Sequence, residues 1–108
     1  MVYFVGAGPG AKDLITVRGM RLLEQADVII YAGSLVNPEL LSYAGSGAKI
    51  YDSAKMTLEE VLAVIREAEE KGLTTVRLHT GEPSLYGAVR EQMDVLAAEG
   101  VSLSLIHI

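Results

Sequence analysis

Glycines, hydroxyls and lone ionisable residues gather in four short runs: GAGPGAKD (6–13), YAGSLVNP (31–38), YDSAKMT (51–57) and HTGEPSLYG (79–87). The last is the most pointed. Gly81 permits close approach of the backbone or an unusual backbone angle, and Pro83 fixes the direction of the chain. Glu82, between them, presents a carboxylate that could pair with an amine or hydroxyls of a ligand. It could equally be an acid favoured at a helix start by the macrodipole. His79 ends an apolar strand, where a histidine is more often packed and hydrogen-bonded than a proton acceptor. Tyr86 could belong to the core or pack on a flat ligand. Ser34, Asn37, Ser53 and Thr57 read most simply as caps and turns.

The GAGPG run has the glycines of a phosphate- or dinucleotide-binding turn, which let a ligand approach the backbone closely. Its spacing is G-x-G-x-G, however, and Pro9 removes an amide that a phosphate could use. An NAD-binding unit also places an acid at the end of its second strand for the ribose. Here that position holds Tyr31, Ala32 and Gly33. A tight strand-to-helix turn and a ligand loop both remain open for GAGPG. No serine–histidine–acid arrangement, metal-ligand cluster or basic aromatic stripe is visible, so no metal is expected.

The elements that would position these runs alternate regularly. Strands are predicted at Val2–Val5, Asp27–Tyr31, AKIYD (48–52), Thr74–His79 and VSLSLIHI (101–108). Helices are predicted from near Thr16 to Gln25, from Asn37-Pro38 to Tyr43, from Thr57 to Lys71 and from Leu85 to Glu99. Thr57 and Glu60 have capping-box spacing, and Gly72 and Gly100 stand where helices end. Leu58, Val61, Leu62, Ile65 and Ala68 share one helical face, and the acidic ladder with Arg66 faces solvent. This pattern is an α/β fold: a parallel five-stranded sheet flanked by helices. In such a sheet every strand-to-helix loop lies at the carboxyl edge, where ligands bind. All four runs therefore share one rim.

Composition sets the outer bounds. The 108 residues suit one domain, and 50% are apolar, enough for a packed core. A formal charge of −5 disfavours nucleic acid as the main partner. There is no cysteine, hence no disulfide framework. The start MVYFVGAGPG is unlike a signal peptide, and no apolar run approaches the ~20 residues needed to span a bilayer. A cytoplasmic protein without a membrane partner is expected.

Taken together, VGAGPGAKDLITVRG, ADVIIYAGSLVNPELL, IYDSAKMTLEEV and RLHTGEPSLYGAVREQM resemble the amino-terminal domain of the tetrapyrrole methylases, over essentially the whole chain. GAGPG and the Gly-acid-Pro motif mark the family, while YAGSLV, YDSA and RLHTGEPSLYG point within it to an enzyme of corrin synthesis. The resemblance implies methyl transfer from S-adenosyl-L-methionine to a carbon of a corrin precursor on the route to cobalamin. It implies two α/β domains with the cofactor folded in the cleft between them. Pro9, Thr80, Gly81, Glu82, Leu85 and Tyr86 would lie along the cofactor; Gly8, Gly10, Ser34 and Leu35 would face the tetrapyrrole. No nucleophile is implied, and His79 as proton acceptor is a further possibility. The chain departs from the family in carrying Glu82 and Ala11 where Asp is usual.

Family members are roughly twice this length. Residues 1–108 are therefore expected to be the amino-terminal domain, with the carboxyl-terminal domain absent and little or no activity alone. The surface such a domain normally covers should favour a homo-oligomer. Rival readings are a uroporphyrinogen methylase or diphthine-pathway relative, and a non-catalytic nucleotide- or phosphate-binding module with Lys12 as its one basic residue near GAGPG.

Overall fold

A computed structural model describes residues 1–6, 17–31, 38–79 and 83–107. Five strands, β1 (Val2–Gly6), β2 (Val28–Tyr31), β3 (Lys49–Asp52), β4 (Thr75–His79) and β5 (Leu103–His107), form a single sheet. The order is β3-β2-β4-β1-β5, and every pairing is parallel. The helices are α1 (Val17–Gln25), α2 (Leu58–Glu70) and α3 (Pro83–Ala98), with 3-10 segments at Pro38–Tyr43 and Ser53–Lys55. The predicted parallel α/β architecture is thus the observed one.

Local chemistry explains most boundaries. At the start of α2 both capping-box bonds form: Glu60 N–H donates to Thr57 Oγ1 at 3.2 Å, and Thr57 N–H to Glu60 Oε1 at 3.0 Å. Gly72 (φ 70°) and Gly100 (φ 80°) sit in the left-handed region. Each closes its helix with a paired return of amides, Gly72 to Glu69 and Leu73 to Ala68, then Gly100 to Ala97 and Val101 to Leu96. That second closure uses the Val101 amide, so β5 starts at Leu103 rather than at Val101.

The short helix expected before β3 forms as a 3-10 helix from Pro38 to Tyr43, with Pro38 at its first position. One helix expectation needs correction: the last helix starts at Pro83, two residues before the expected Leu85. Proline's fixed φ and missing N–H suit the first helical position, where the amide would have no partner anyway.

Two apolar layers sandwich the sheet. Val2, Phe4, Val28 and Ile30 face α2 and α3, packing with Val61, Leu62, Ile65, Ala68 and Leu96. Val5, Ile29, Val76 and Leu78 face the other side, packing with Leu23 and Ala26. Burying one such side chain completely stabilises by roughly 1.5–3 kcal/mol. The outer strands are less covered: Ile50 on β3 is 46% exposed and Leu105 on β5 is 38% exposed. Across the α2–α3 seam, Arg66 grips the Glu99 carboxylate through two bonds of 2.7 Å at the surface. Part of the acidic face read as merely solvated therefore ties elements together.

Candidate functional site: the switch point between β4 and β1

Connections in this sheet reverse direction once. From β1 the chain crosses past β4 to β2, with α1 on one face; from β4 it crosses past β1 to β5, with α3 on the other. Crossovers that run opposite ways on opposite faces share one hand. The strands where they diverge, β4 and β1, are neighbours, with Gly6 in register with His79. Two adjacent connections leaving for opposite faces open a crevice at the carboxyl edge, the usual ligand position in open α/β sheets.

The connections that follow these two strands are 7–16 and 80–82. Pro9, Gly8, Gly10, Thr80, Gly81 and Glu82 lie outside the described residues, as do Ser34 and Leu35 beyond the end of β2. Leu85 and Tyr86 fall within the first turns of α3, though their side chains lie outside what is described. The described framework thus brings the roots of the first and last runs together and leaves the 31–38 run rooted one strand away, on β2.

The β2–β3 end of the rim closes on itself. Ser53 Oγ donates to the Tyr31 carbonyl at 3.0 Å, stitching the two strand ends. Asp52 accepts from the Ala54 amide at 2.9 Å, and Met56 N–H returns to the Ser53 carbonyl at 3.1 Å. These polar groups are spent on the turn. Ser53 does more than the capping expected of it, and Thr57 does the capping.

Beneath the crevice lies a side chain that sequence reasoning missed. Arg77, in the central strand β4, is 4% exposed and shares a register row with Phe4 and Ile30, facing α3. Its Nε donates to Gln92 Oε1 at 3.1 Å, and Nη1 donates to the carbonyls of Leu78 at 3.2 Å and Ile30 at 3.5 Å. Among the described residues no carboxylate pairs with it. Burial therefore lowers its pKa from the usual guanidinium range to about 10. The signal was present: a lone arginine in the apolar run TVRLH, and a glutamine one helical turn before Leu96.

A cavity of about 220 Å³ lies elsewhere, at the amino ends of β2 and β3 against the last turns of α2. Two of its charged groups are engaged: Lys71 pairs with Glu67 at 2.9 Å, and Asp27 accepts from the Thr74 amide at 2.9 Å. Lys49 and Tyr51 also line it, away from the carboxyl edge where such sheets take ligands. Among the described residues no group of three His, Asp or Glu could hold a metal, and no helix is long and apolar enough to cross a membrane.

Comparison with known proteins agrees with this geometry. The family model described as Tetrapyrrole (Corrin/Porphyrin) Methylases matches residues 1–107. A cobalt-precorrin-4 C(11)-methyltransferase of Methanocaldococcus jannaschii is 53% identical, over 97% of this chain and 40% of the relative. The X-ray structure of a cobalt precorrin-4 methyltransferase superposes with a TM-score of 0.88 at 46% identity, over 97% of this chain and 44% of that one. A uroporphyrin-III C-methyl transferase from Thermus thermophilus, complexed with S-adenyl homocysteine, superposes at 0.75 with 32% identity, over 97% and 43%. The chain thus spans about two fifths of the length of such relatives. Matched from end to end by that model, the chain belongs to the tetrapyrrole (corrin/porphyrin) methylases.

Proposed function

We propose that this chain is the amino-terminal domain of an enzyme that methylates ring carbon 11 of precorrin-4, or of its cobalt form, using S-adenosyl-L-methionine. The observation that carries the reading is the pairing of Gly6 with His79, which roots two glycine-bearing connections side by side. The names of the similar proteins support the substrate and the position methylated.

The residues present suit such a donor. Strand β2 ends in Tyr31, with no acid there for a ribose, so the extended dinucleotide mode has no anchor. The β4–β1 switch point is where such a sheet takes a ligand, and the family resemblance implies that the donor is held folded there. When bound, S-adenosyl-L-methionine supplies a sulfonium methyl that an electron-rich ring carbon can take. Pro9, Thr80, Gly81, Glu82, Leu85 and Tyr86 would hold the donor, and Gly8, Gly10, Ser34 and Leu35 would face the tetrapyrrole. These residues bind and align, and alignment alone can supply several kcal/mol of a transfer barrier. Residues beyond these 108 would complete the cleft, which leaves the chain alone with little or no activity; a cytoplasmic homo-oligomer is the working form we propose for the whole enzyme.

Thermal shift on two proteins tests this: the 108-residue chain, and a chimera joining it to the remainder of the M. jannaschii relative. S-adenosylhomocysteine should stabilise the chimera, and NAD and ATP should stabilise neither. A shift with NAD or ATP would overturn the donor assignment. Tight one-to-one binding of S-adenosylhomocysteine to the short chain would overturn the division of the cleft. Turnover should also need His79 if it accepts a proton; full activity in His79→Gln excludes that role.

A further inference from the structure

Arg77 is a costly residue for its position. Strand β4 has a neighbour on both sides, β2 and β1, and strands buried in this way are normally apolar throughout. Gln92, its partner on α3, is 5% exposed and equally enclosed. If packing were the only demand, an apolar pair of similar volume would serve as well or better. The guanidinium is instead used as a planar, directional fork onto neutral acceptors. One rigid group touches three elements: the Ile30 carbonyl on β2, the Leu78 carbonyl on β4 and the Gln92 side chain on α3.

What this fork controls follows from the connectivity. Only residues 80–82 separate the last residue of β4, His79, from the first of α3, Pro83. Any sliding of α3 along β4 would have to be taken up within those three residues. The Arg77–Gln92 bond spans the same two elements from below and blocks that sliding.

Resting on the donor reading above, we propose that Arg77 and Gln92 form a positioning pair that sets the 80–82 connection for the donor. The charge itself is not the operative property; the fixed geometry of the fork is. Neither residue touches the donor.

The test uses the chimera, with affinity for S-adenosylhomocysteine measured by calorimetry. Arg77→Met/Gln92→Leu removes the fork while filling its volume, and should weaken binding by about 10- to 100-fold, the scale expected when a supporting shell is lost. Gln92→Leu alone cuts only the tie to α3 and should cost roughly 3- to 10-fold. Arg77→Lys keeps the charge and loses the fork, so it should not restore affinity. Ile65→Val, in the core facing α2, is the control for lost packing and should leave affinity unchanged.

Amide exchange at Gly87 and Ala88, helical positions in the first turns of α3, gives a readout independent of the donor in the 108-residue chain; it should accelerate by at least about 10-fold in the double variant. If the double variant does not fold, Gln92→Leu decides. Unchanged affinity and exchange in Gln92→Leu, or full affinity in Arg77→Lys, would overturn the proposal. Failure of the unmutated chimera to bind would strike the donor reading instead, while the exchange result still judged the pair.

Discussion

The double substitution Arg77→Met/Gln92→Leu should leave the fold nearly as stable as before, and the magnitude can be worked from the site. The lowering of the Arg77 pKa by burial, from the usual guanidinium range to about 10, corresponds to a cost on the order of 3 kcal/mol at neutral pH. The sign is that of a depressed base: the folded chain binds this proton less tightly than the unfolded one. The cost is therefore fully present below about pH 10 and is relieved as pH rises above that value towards the unfolded guanidinium range. Against it stand two well-placed bonds from the guanidinium, at 3.1 and 3.2 Å, and a longer one at 3.5 Å. The two good bonds contribute roughly 3–6 kcal/mol together. Apolar replacements would recover about 1–2 kcal/mol through burial.

These contributions close to within about 2 kcal/mol of zero, or roughly 10 °C in melting temperature for a domain of this size. Urea unfolding of the 108-residue chain and the variant, followed by circular dichroism, is the assay. A loss above about 4 kcal/mol, in the range of breaking a buried pair outright, would refute the reasoning. The fork would then be holding the fold together, and its role would not be confined to the 80–82 connection.

Other perturbations have signs that the geometry dictates. Gly100→Ala, at φ 80°, should destabilise by about 1–2 kcal/mol through the left-handed backbone, although a Cβ there meets open space. Gly47→Ala also meets open space without a positive φ, and should be neutral or stabilise by about 0.4–1 kcal/mol. Equal melting temperatures for the two variants would contradict the backbone argument. Hydrogen bonds from Lys71 and Arg66 hold the Glu67 and Glu99 carboxyls below their ordinary value of 4.5. Their contribution is present above pH 4.5 and lost as pH falls through the lower folded values, so Glu67→Gln/Glu99→Gln should flatten the acid limb of stability against pH. An unaltered acid limb, or one insensitive to salt in the parent chain, would count against these pairs. Ile50 and Leu105, exposed on the two outer strands, should support self-association, visible by sedimentation and reduced in Ile50→Lys/Leu105→Lys. A strictly monomeric parent at high concentration would remove that expectation.

What the sequence disclosed followed how local each feature is. The Thr57–Glu60 box, the Gly72 and Gly100 stops and the apolar face of α2 depend on residues within a turn of one another, and all three stand in the structure. Strand order depends on distant pairings: nothing near Val2 announces Thr75 as its neighbour. The side-by-side rim therefore rested on fold-level rules and resemblance until the register was seen. Helix α3 began early because Pro83, read as shaping a bend, opens the helix itself. Arg77 escaped notice because a strand read for its apolar positions passes over the polar ones between them, and Gln92 because its burial depends on a partner fifteen residues earlier. The candidate contacts at Pro9, Gly81 and Glu82 remain proposals, since they lie outside the described residues.

The placement of β1 between β4 and β5 also bears on how the chain is made. Strand β1 is made before its partners and has no neighbour until Thr75–His79 has been synthesised, and its other flank waits for Leu103–His107. Val2, Phe4 and Val5, all buried in the finished sheet, stay unsheltered until those strands arrive. Nascent chains halted before β4 should be bound by holding chaperones and cut readily by proteases. Release should come only once β5 emerges, when β1 gains both of its neighbours.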